Sequence, residues 1–241
     1  RALPEHLLAA LQAECDAAVE AKDREMEQTG KTSEGITHYR KRYFIGNRSQ
    51  TSERLRRVLF SDVYAEICRA TIGPEAHLFC EQFVVKAGEP DTRFSWHQDS
   101  GYVGHPHTPY VTCWTAVDDV SEANGTIYVL PHSRAGTGDM QIIQHARQEG
   151  SNDMVGYHGD DPGIPVEVPA GSIAVFSSRT FHRSGANTTQ NLRRGYVPQF
   201  SPEPILTKES DKLWNMAVPF LKDGRIIADA AVAPRPVNDP V

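Results

Sequence analysis

Trp96-His97-Gln98-Asp99 sets an imidazole and a carboxylate two positions apart. On an extended strand, residues i and i+2 point to one face. His97 and Asp99 can therefore offer a nitrogen and an oxygen to the same point in space. They are two members of a 2-His-1-carboxylate set, the arrangement that holds non-haem Fe(II) and leaves positions open for a co-substrate and O2. The third ligand must arrive on a distant strand, and His182 in Phe181-His182-Arg183-Ser184-Gly185 is the best candidate. About eleven residues later, Arg193-Arg194-Gly195-Tyr196 can deliver a guanidinium to the same pocket. Arg193 has the planar fork that matches a carboxylate in two charge-assisted bonds. Arg194 points to the other face of the same strand and reads as solvated. His105 and His107 share the i, i+2 spacing, but they flank Pro106 in a loop with no nearby carboxylate and are expected to face solvent. His132, His145 and His158 read as loop residues, of which His158 could reach the mouth of a barrel.

The elements that must position these groups change period near residue 77. Before it, apolar residues recur at helical spacing from Pro4 to Gln28 (Leu7, Leu8, Leu11, Cys15) and from Ser52 to Thr71 (Leu55, Val58, Leu59, Ile67). Gly30 ends the first helix and Gly73-Pro74 the second. Between them, Tyr39 to Phe44 is a basic-aromatic cluster, either a solvated face or a wall that attracts an anionic group. After residue 77 the period is two. Strands are expected at Leu78–Lys86, Phe94–Asp99, Tyr110–Val117, Thr126–Leu130, Val166–Val168, Ser172–Phe176, Thr180–His182 and Arg193–Phe200, with a turn at Gly88-Glu89-Pro90-Asp91. Residues 135–163 read as a long insertion, with a short helix near Ile142–Arg147. Long loops inside compact domains tend to carry function.

Helices followed by at least seven short strands predict a mainly β fold with a helical N-terminal cover, specifically a double-stranded β-helix of the jelly-roll, cupin-like type. In that topology the two halves of a metal site come from remote strands at one mouth of the barrel, as the gap between His97 and His182 requires. The 241 residues, 39 % of them apolar, are expected to form one domain: a helical cover over 1–75, a core over 77–200 and an irregular tail over 201–241 with one short element at Leu213–Leu221. A net charge of −6 speaks against a general nucleic-acid binder. Cys15, Cys68, Cys80 and Cys113 form no CxxC pair and read as reduced thiols of a cytoplasmic protein. No apolar run approaches the roughly 18 residues of a membrane span, and no signal peptide is read ahead of Leu3. A monomer or homodimer is expected.

Five stretches occur in a telling order: Trp96-His97-Gln98-Asp99, Trp114 to Asp119, Glu122-Ala123-Asn124-Gly125-Thr126, Leu130-Pro131-His132-Ser133, and His182 to Asn187. Together they resemble the phytanoyl-CoA dioxygenase family of Fe(II)/2-oxoglutarate-dependent oxygenases, most closely between Glu81 and Phe200. The family's usual Pro-Gly-Ser-His is here Pro131-His132-Ser133-Arg134. The resemblance implies that His97, Asp99 and His182 bind iron and that Arg193 holds the distal carboxylate of 2-oxoglutarate. It further implies that Ser184 supports that carboxylate and that Trp114 and Gln82 line the co-substrate pocket. The implied reaction turns 2-oxoglutarate and O2 into succinate and CO2 while a substrate C–H bond is oxidised. An intact Asp99 implies hydroxylation, desaturation or cyclisation rather than halogenation. Gln98, Tyr102, Val103, Tyr110, Arg179 and residues 136–160 are candidate substrate walls. Arg179 and the Tyr39–Tyr43 cluster point to a polar or anionic small molecule, such as a secondary metabolite or amino-acid derivative, rather than a fatty acyl-CoA. Three other classes compete: a metal enzyme on a cupin-like barrel that needs no 2-oxoglutarate, an inactive binding module of the same fold, and a nucleic-acid demethylase.

Overall fold

A computed structural model of the chain describes residues 1–89, 92–137, 142–148, 153–209 and 212–233. Helix α1 (Glu5–Thr29) follows Pro4 and closes on Gly30, whose φ of 67° is the left-handed conformation glycine adopts without strain. The second helical zone is two helices, α2 (Glu53–Leu59) and α3 (Asp62–Thr71). Ser52 caps α2 by accepting a hydrogen bond from Leu55 N. The break falls at Phe60, which leaves the helix path and packs its ring against Phe220, centroids 5.5 Å apart.

Among the described residues the strands follow this order: β1 (Ser33–Glu34), β2 (Thr37–His38), β3 (Arg42–Gly46), β4 (Ala76–Lys86), β5 (Phe94–His97), β6 (Val111–Ala116), β7 (Ile127–Leu130), β8 (Ala146–Arg147), β9 (Met154–Val155), β10 (Ile164–Pro165), β11 (Ile173–Ser177), β12 (Phe181–Ser184), β13 (Arg193–Ser201), β14 (Val218–Lys222) and β15 (Arg225–Ile226). One-turn helices α4 (Ser100–Val103) and α5 (His132–Ala135) follow β5 and β7. The large sheet runs β1-β2-β3-β4-β13-β6-β11, with β14 also paired to β4 and β15 to β14. The small sheet runs β10-β7-β12-β5. All the pairings are antiparallel, and the expected jelly roll with its helical cover is formed.

The sequence reading departs from the structure at several places. The basic-aromatic cluster is a turn over 39–41 followed by the start of β3, which pairs with both β2 and β4, with Tyr43 buried and its hydroxyl donating to Asp23 Oδ1 at 2.6 Å. No helix forms over 142–147; Ala146 and Arg147 pair with Val155 and Met154. The strand placed at Val166–Val168 lies at Ile164–Pro165, leaving Val168 a single bridge to Val120. The short element expected at Leu213–Leu221 is strand β14, shifted to Val218–Lys222 and returned to the large sheet on β4. The turn at 88–91 and the insertion lie partly outside the described residues. Among the described residues no helix is long and apolar enough to cross a membrane.

Period two divides the core. On β13, Tyr196 and Phe200 face the helices and pack with Leu11, Cys15, Tyr64 and Phe83. Val197 faces the small sheet and packs with Trp114, Ile127 and Phe176. Each such fully buried ring contributes about 1.5–3 kcal/mol. The pairing of β13 with β4 slips between Gln199 and Phe200, whose partners are Cys80 and Leu78. Phe79 is thereby left over as the extra residue of a bulge. It turns from the helical cover, where strict alternation had placed it, to pack on Tyr110, centroids 4.8 Å apart.

Glu81 is a buried carboxyl under that cover. It accepts hydrogen bonds from Ser49 N (2.8 Å) and Tyr196 Oη (3.1 Å) and has no cation in ion-pair contact among the described residues. Burial raises its pKa from 4.5 to about 7. The folded chain therefore holds a proton that the unfolded chain releases, and stability falls as pH rises from about 4.5 to about 7. The penalty above that range is about 3 kcal/mol. Glu81→Gln should be more stable than the parent at pH 8 and should lose that advantage at pH 5, measured by urea unfolding; a difference independent of pH would contradict this.

Candidate functional site

β5 and β12 are neighbours in the small sheet, and their register pairs His97 with His182. Cross-strand partners share a face, so the two rings meet with centroids 4.1 Å apart. Strand β5 ends at His97. Asp99 has helical backbone (φ −58°, ψ −38°) at the start of α4 rather than the extended backbone that the i, i+2 argument supposes. Its carboxylate still reaches the pair, with Oδ1 3.7 Å from His97 Nε2 and 3.5 Å from His182 Nε2. The three donor atoms lie within 4.8 Å of one another, a spacing that one metal ion can bridge. Among the described residues this is the one cluster of three or more such side chains.

The surroundings orient each donor. His97 Nδ1 lies 2.8 Å from Ser95 O, and His182 Nδ1 lies 3.1 Å from Thr180 O. A carbonyl oxygen only accepts, so Nδ1 carries the hydrogen and Nε2 presents its lone pair to the cluster. Asp99 Oδ2 accepts from Thr112 Oγ1 (2.6 Å) and Gln199 Nε2 (2.9 Å), leaving Oδ1 turned to the imidazoles. Burial alone would raise the Asp99 carboxyl, but His182, His97 and Thr112 outweigh it and bring the pKa to about 2. Burial, reinforced by His97, lowers His182 to about 4. Near neutral pH the set is thus a carboxylate beside at least one neutral imidazole, which suits divalent-metal ligation.

A second polar group sits further along the same strands. β4 and β13 pair Lys86 with Arg193, both fully buried. Lys86 Nζ donates to Ser184 Oγ (2.8 Å) and Gly185 O (2.6 Å), tying the large sheet to the small one. Arg193 donates to Gly125 O at 2.9 Å, its guanidinium stands 5.7 Å from the Trp114 ring, and its Nε has no partner among the described residues. Neither cation meets a carboxylate within ion-pair distance among the described residues. Burial and then Arg193 lower the Lys86 pKa well below its ordinary value, and burial lowers Arg193 to about 10. Two glycines make the room. Gly125 holds φ 80°, and a Cβ there would lie 2.7 Å from Gly185 O. A Cβ on Gly195 would press on the Trp114 ring at 3.3 Å. Lys86 is the residue that sequence reasoning missed. Its signal was a lysine closing a strand on the inward phase, visible only once the strand's partner is known.

The remaining expected residues divide. Tyr102 lines a cavity that opens on His97 and Asp99. Gln82 lines the same cavity rather than the Lys86–Arg193 end, and Trp114 packs beneath Arg193. Gln98 and Arg179 do not line it. Gln98 follows the end of β5, and its amide accepts from Ile143 N (2.8 Å) and donates to Arg179 O (2.6 Å) away from the cavity. Arg179 donates to His107 O at 3.0 Å. His107 and His105 are half-buried rather than solvent-facing, with His107 bonded to Ser100 Oγ and stacked on Tyr110. Arg194 does face away from the site, but it is paired with Asp118 and Asp16 rather than simply solvated. His158 is exposed. His145 is more than a loop residue: its Nε2 accepts from Gln98 N at 2.8 Å, and a Cβ on Gly101 or Gly156 would strike its ring.

Comparison with known proteins extends this picture. A probable phytanoyl-CoA dioxygenase of Caenorhabditis elegans is 30 % identical over 125 residues, which cover 49 % of this chain and 39 % of that protein. The matched stretch is thus well under half of that relative's length. Among solved structures, the non-haem monooxygenase ThoJ without ligand superposes with a TM-score of 0.66 at 16 % identity, covering 98 % of this chain and 82 % of its own. The epimerase SnoN, solved with Fe3+, alpha-ketoglutarate and a nogalamycin compound, gives 0.59 at 17 % identity over 92 % and 90 %. These likenesses establish a shared fold. The sequence model of the phytanoyl-CoA dioxygenase (PhyH) family matches residues 1–195, most of the chain and every side chain of the His97–Asp99–His182 cluster and the Lys86–Arg193 pair, and the chain belongs to that family.

Proposed function

We propose that the chain is an Fe(II)- and 2-oxoglutarate-dependent dioxygenase that hydroxylates, desaturates or cyclises a small molecule with release of succinate and CO2. One observation carries this reading: two buried basic side chains with no carboxylate in ion-pair contact among the described residues stand beside a cluster of three side chains that could hold a metal. His182 and Ser184 are two residues apart on β12, a rise of about 7 Å. That step suits an extended five-carbon diacid with one end at the metal and the other between Lys86 and Arg193. Burying an unpaired charge costs several kcal/mol, and the far carboxylate of the diacid would offset that cost.

Bound there, Fe(II) with 2-oxoglutarate and O2 supplies oxidative decarboxylation coupled to oxidation of a C–H bond. The protein's own residues do the positioning. His97 Nε2, His182 Nε2 and Asp99 Oδ1 offer one face of ligands and leave the other open. Thr112 and Gln199 hold Asp99 to a single inward oxygen. Arg193 and Lys86 orient the far carboxylate, and the Ser184 hydroxyl, already accepting from Lys86, keeps its hydrogen for it. Phe176, 4.8 Å from the His182 ring, and Trp114 wall the space between and keep water out. The four unpaired thiols suit a reducing compartment, for which we propose the cytoplasm, with residues 1–241 acting as one unit, monomeric or homodimeric.

Three measurements test this. Arg193→Met should raise the KM for 2-oxoglutarate by about 10²-fold or more, the cost of a lost buried charge partner, with Fe(II) affinity unchanged. Substrate turnover unaltered in that variant, with or without 2-oxoglutarate, would instead favour a metal enzyme that needs no 2-oxoglutarate. Thr112→Val should weaken Fe(II) binding by about 10- to 100-fold, as loss of a hydrogen bond to a ligating carboxylate does; unchanged affinity in anaerobic dialysis would contradict the role given to Thr112. An arriving carboxylate should raise the depressed Lys86 pKa, so binding of 2-oxoglutarate should take up a proton and weaken as pH rises. Calorimetry in buffers of different ionisation enthalpy reads this directly, and Lys86→Met should abolish it; proton release would contradict it.

A further inference from the structure

The cavity opening on His97 and Asp99 has a volume of about 200 Å³. Two aromatic pairs form its sides: Phe79 with Tyr110 (centroids 4.8 Å) and Phe44 with Phe94 (5.3 Å). Trp214, partly exposed, lies on its wall beside them. Among the described residues no lysine or arginine lines it. The cations expected to attract an anion are engaged elsewhere. Arg42 is buried against Asp153 at 2.8 Å, Arg40 pairs with Glu27, and Arg179 donates to His107 O. Lys86 and Arg193 lie at the opposite, co-substrate end. Among the described residues Asp99 is the one acidic side chain on the wall. With the charge of a bound Fe(II) balanced by Asp99 and the near carboxylate of 2-oxoglutarate, an anion brought here would be desolvated with no cation on the wall to pair with it.

Two polar groups on this wall are without partners among the described residues: the Tyr110 hydroxyl, on a buried residue, and the Gln82 amide. Burial raises the Tyr110 pKa well above its ordinary value, so the hydroxyl keeps its hydrogen. Both can donate to an oxygen atom of a ligand. Trp214 and Asn215, also on the wall, lie beyond the residues matched by the family model. This part of the wall is therefore built from a segment outside the family's shared pattern.

We infer that this cavity takes an uncharged, compact, ring-bearing molecule with a carbonyl or hydroxyl oxygen, gripped by Tyr110 and Gln82 between the aromatic pairs. The inference rests on the oxygenase reading only in making that molecule the substrate. It replaces the anionic or amino-acid-like substrate expected from sequence, and it excludes acyl-CoA.

The test is anaerobic equilibrium dialysis at neutral pH of the protein loaded with Fe(II) and 2-oxoglutarate, against three probes on one skeleton: 2-naphthol, 2-naphthoate and 2-naphthoyl-CoA. The naphthol should bind at least about ten-fold tighter than either anion, the cost of burying an uncompensated charge. Tyr110→Phe and Gln82→Leu should each weaken naphthol binding by about three- to ten-fold, the worth of one hydrogen bond. Val103→Lys should bring naphthoate up toward the naphthol. Binding of naphthoate or the thioester equal to or tighter than that of the naphthol, or no retention of the naphthol, would overturn the inference. The same dialysis reports 2-oxoglutarate retention separately: naphthol held without 2-oxoglutarate sinks the oxygenase reading and leaves the cavity's chemistry standing, whereas 2-oxoglutarate held with naphthoate preferred does the reverse.

Discussion

Lys86 and Arg193 are cross-strand partners closed between two sheets, and among the described residues neither has a carboxylate to pair with. Such an arrangement is costly, and the fold meets the cost only in part. Lys86 finds a hydroxyl and a carbonyl, Arg193 finds the Gly125 carbonyl, and the Arg193 Nε finds nothing. Burial and then Arg193 depress the tendency of Lys86 to stay charged. An interior that retains this repulsion is pre-organised for an anion, because a ligand carboxylate gains two charge-assisted partners that have no competing salt bridge to break.

The rest of the sandwich serves the distance between that pair and the metal ligands. β13 carries both ends of the site: Arg193 near its start reaches the cation end, and Gln199 near its end holds Asp99. β12 does the same on the facing sheet with Ser184 and His182. A one-residue slip in either strand would exchange inward for outward side chains. The helical cover prevents such a slip on β13, because Tyr196 and Phe200 are buried in it from the other side. Arg194 is locked there too, by Asp118 and Asp16. Core packing and site geometry are therefore two faces of one strand register, which links stability to chemistry without any direct contact between them.

Much of this was legible in the residues. His97, Asp99 and His182 stood out because metal ligation demands particular side chains, and side-chain identity is what a sequence states directly. Arg193 followed from its distance after His182. Lys86 was not legible, because a lysine at the end of an alternating strand reads as the polar edge until its partner strand is known. Gln98 was misjudged for a related reason: proximity in sequence to two ligands suggested proximity in space, while its amide turns away from the cavity to Ile143 and Arg179. The bulge that turns Phe79 into the cavity, and the pairing of Arg42–Phe44 in β3 with β4, depend on contacts across some 40 to 120 residues, which no local pattern encodes. The expectation of a polar or anionic substrate counted the arginines of the Tyr39–Tyr43 cluster and Arg179 without their partners, Asp153, Glu27 and the His107 carbonyl, which only the fold supplies.

The central claim is that one dicarboxylate spans the metal cluster and the cation pair. A crystal structure of the protein loaded anaerobically with Fe(II) and 2-oxoglutarate tests it most directly. The account predicts an ion held by His97, Asp99 and His182, with the far carboxylate of the diacid lying between Lys86 and Arg193. An ion bound by other residues, or a diacid whose far end leaves both cations without an anion, would contradict it.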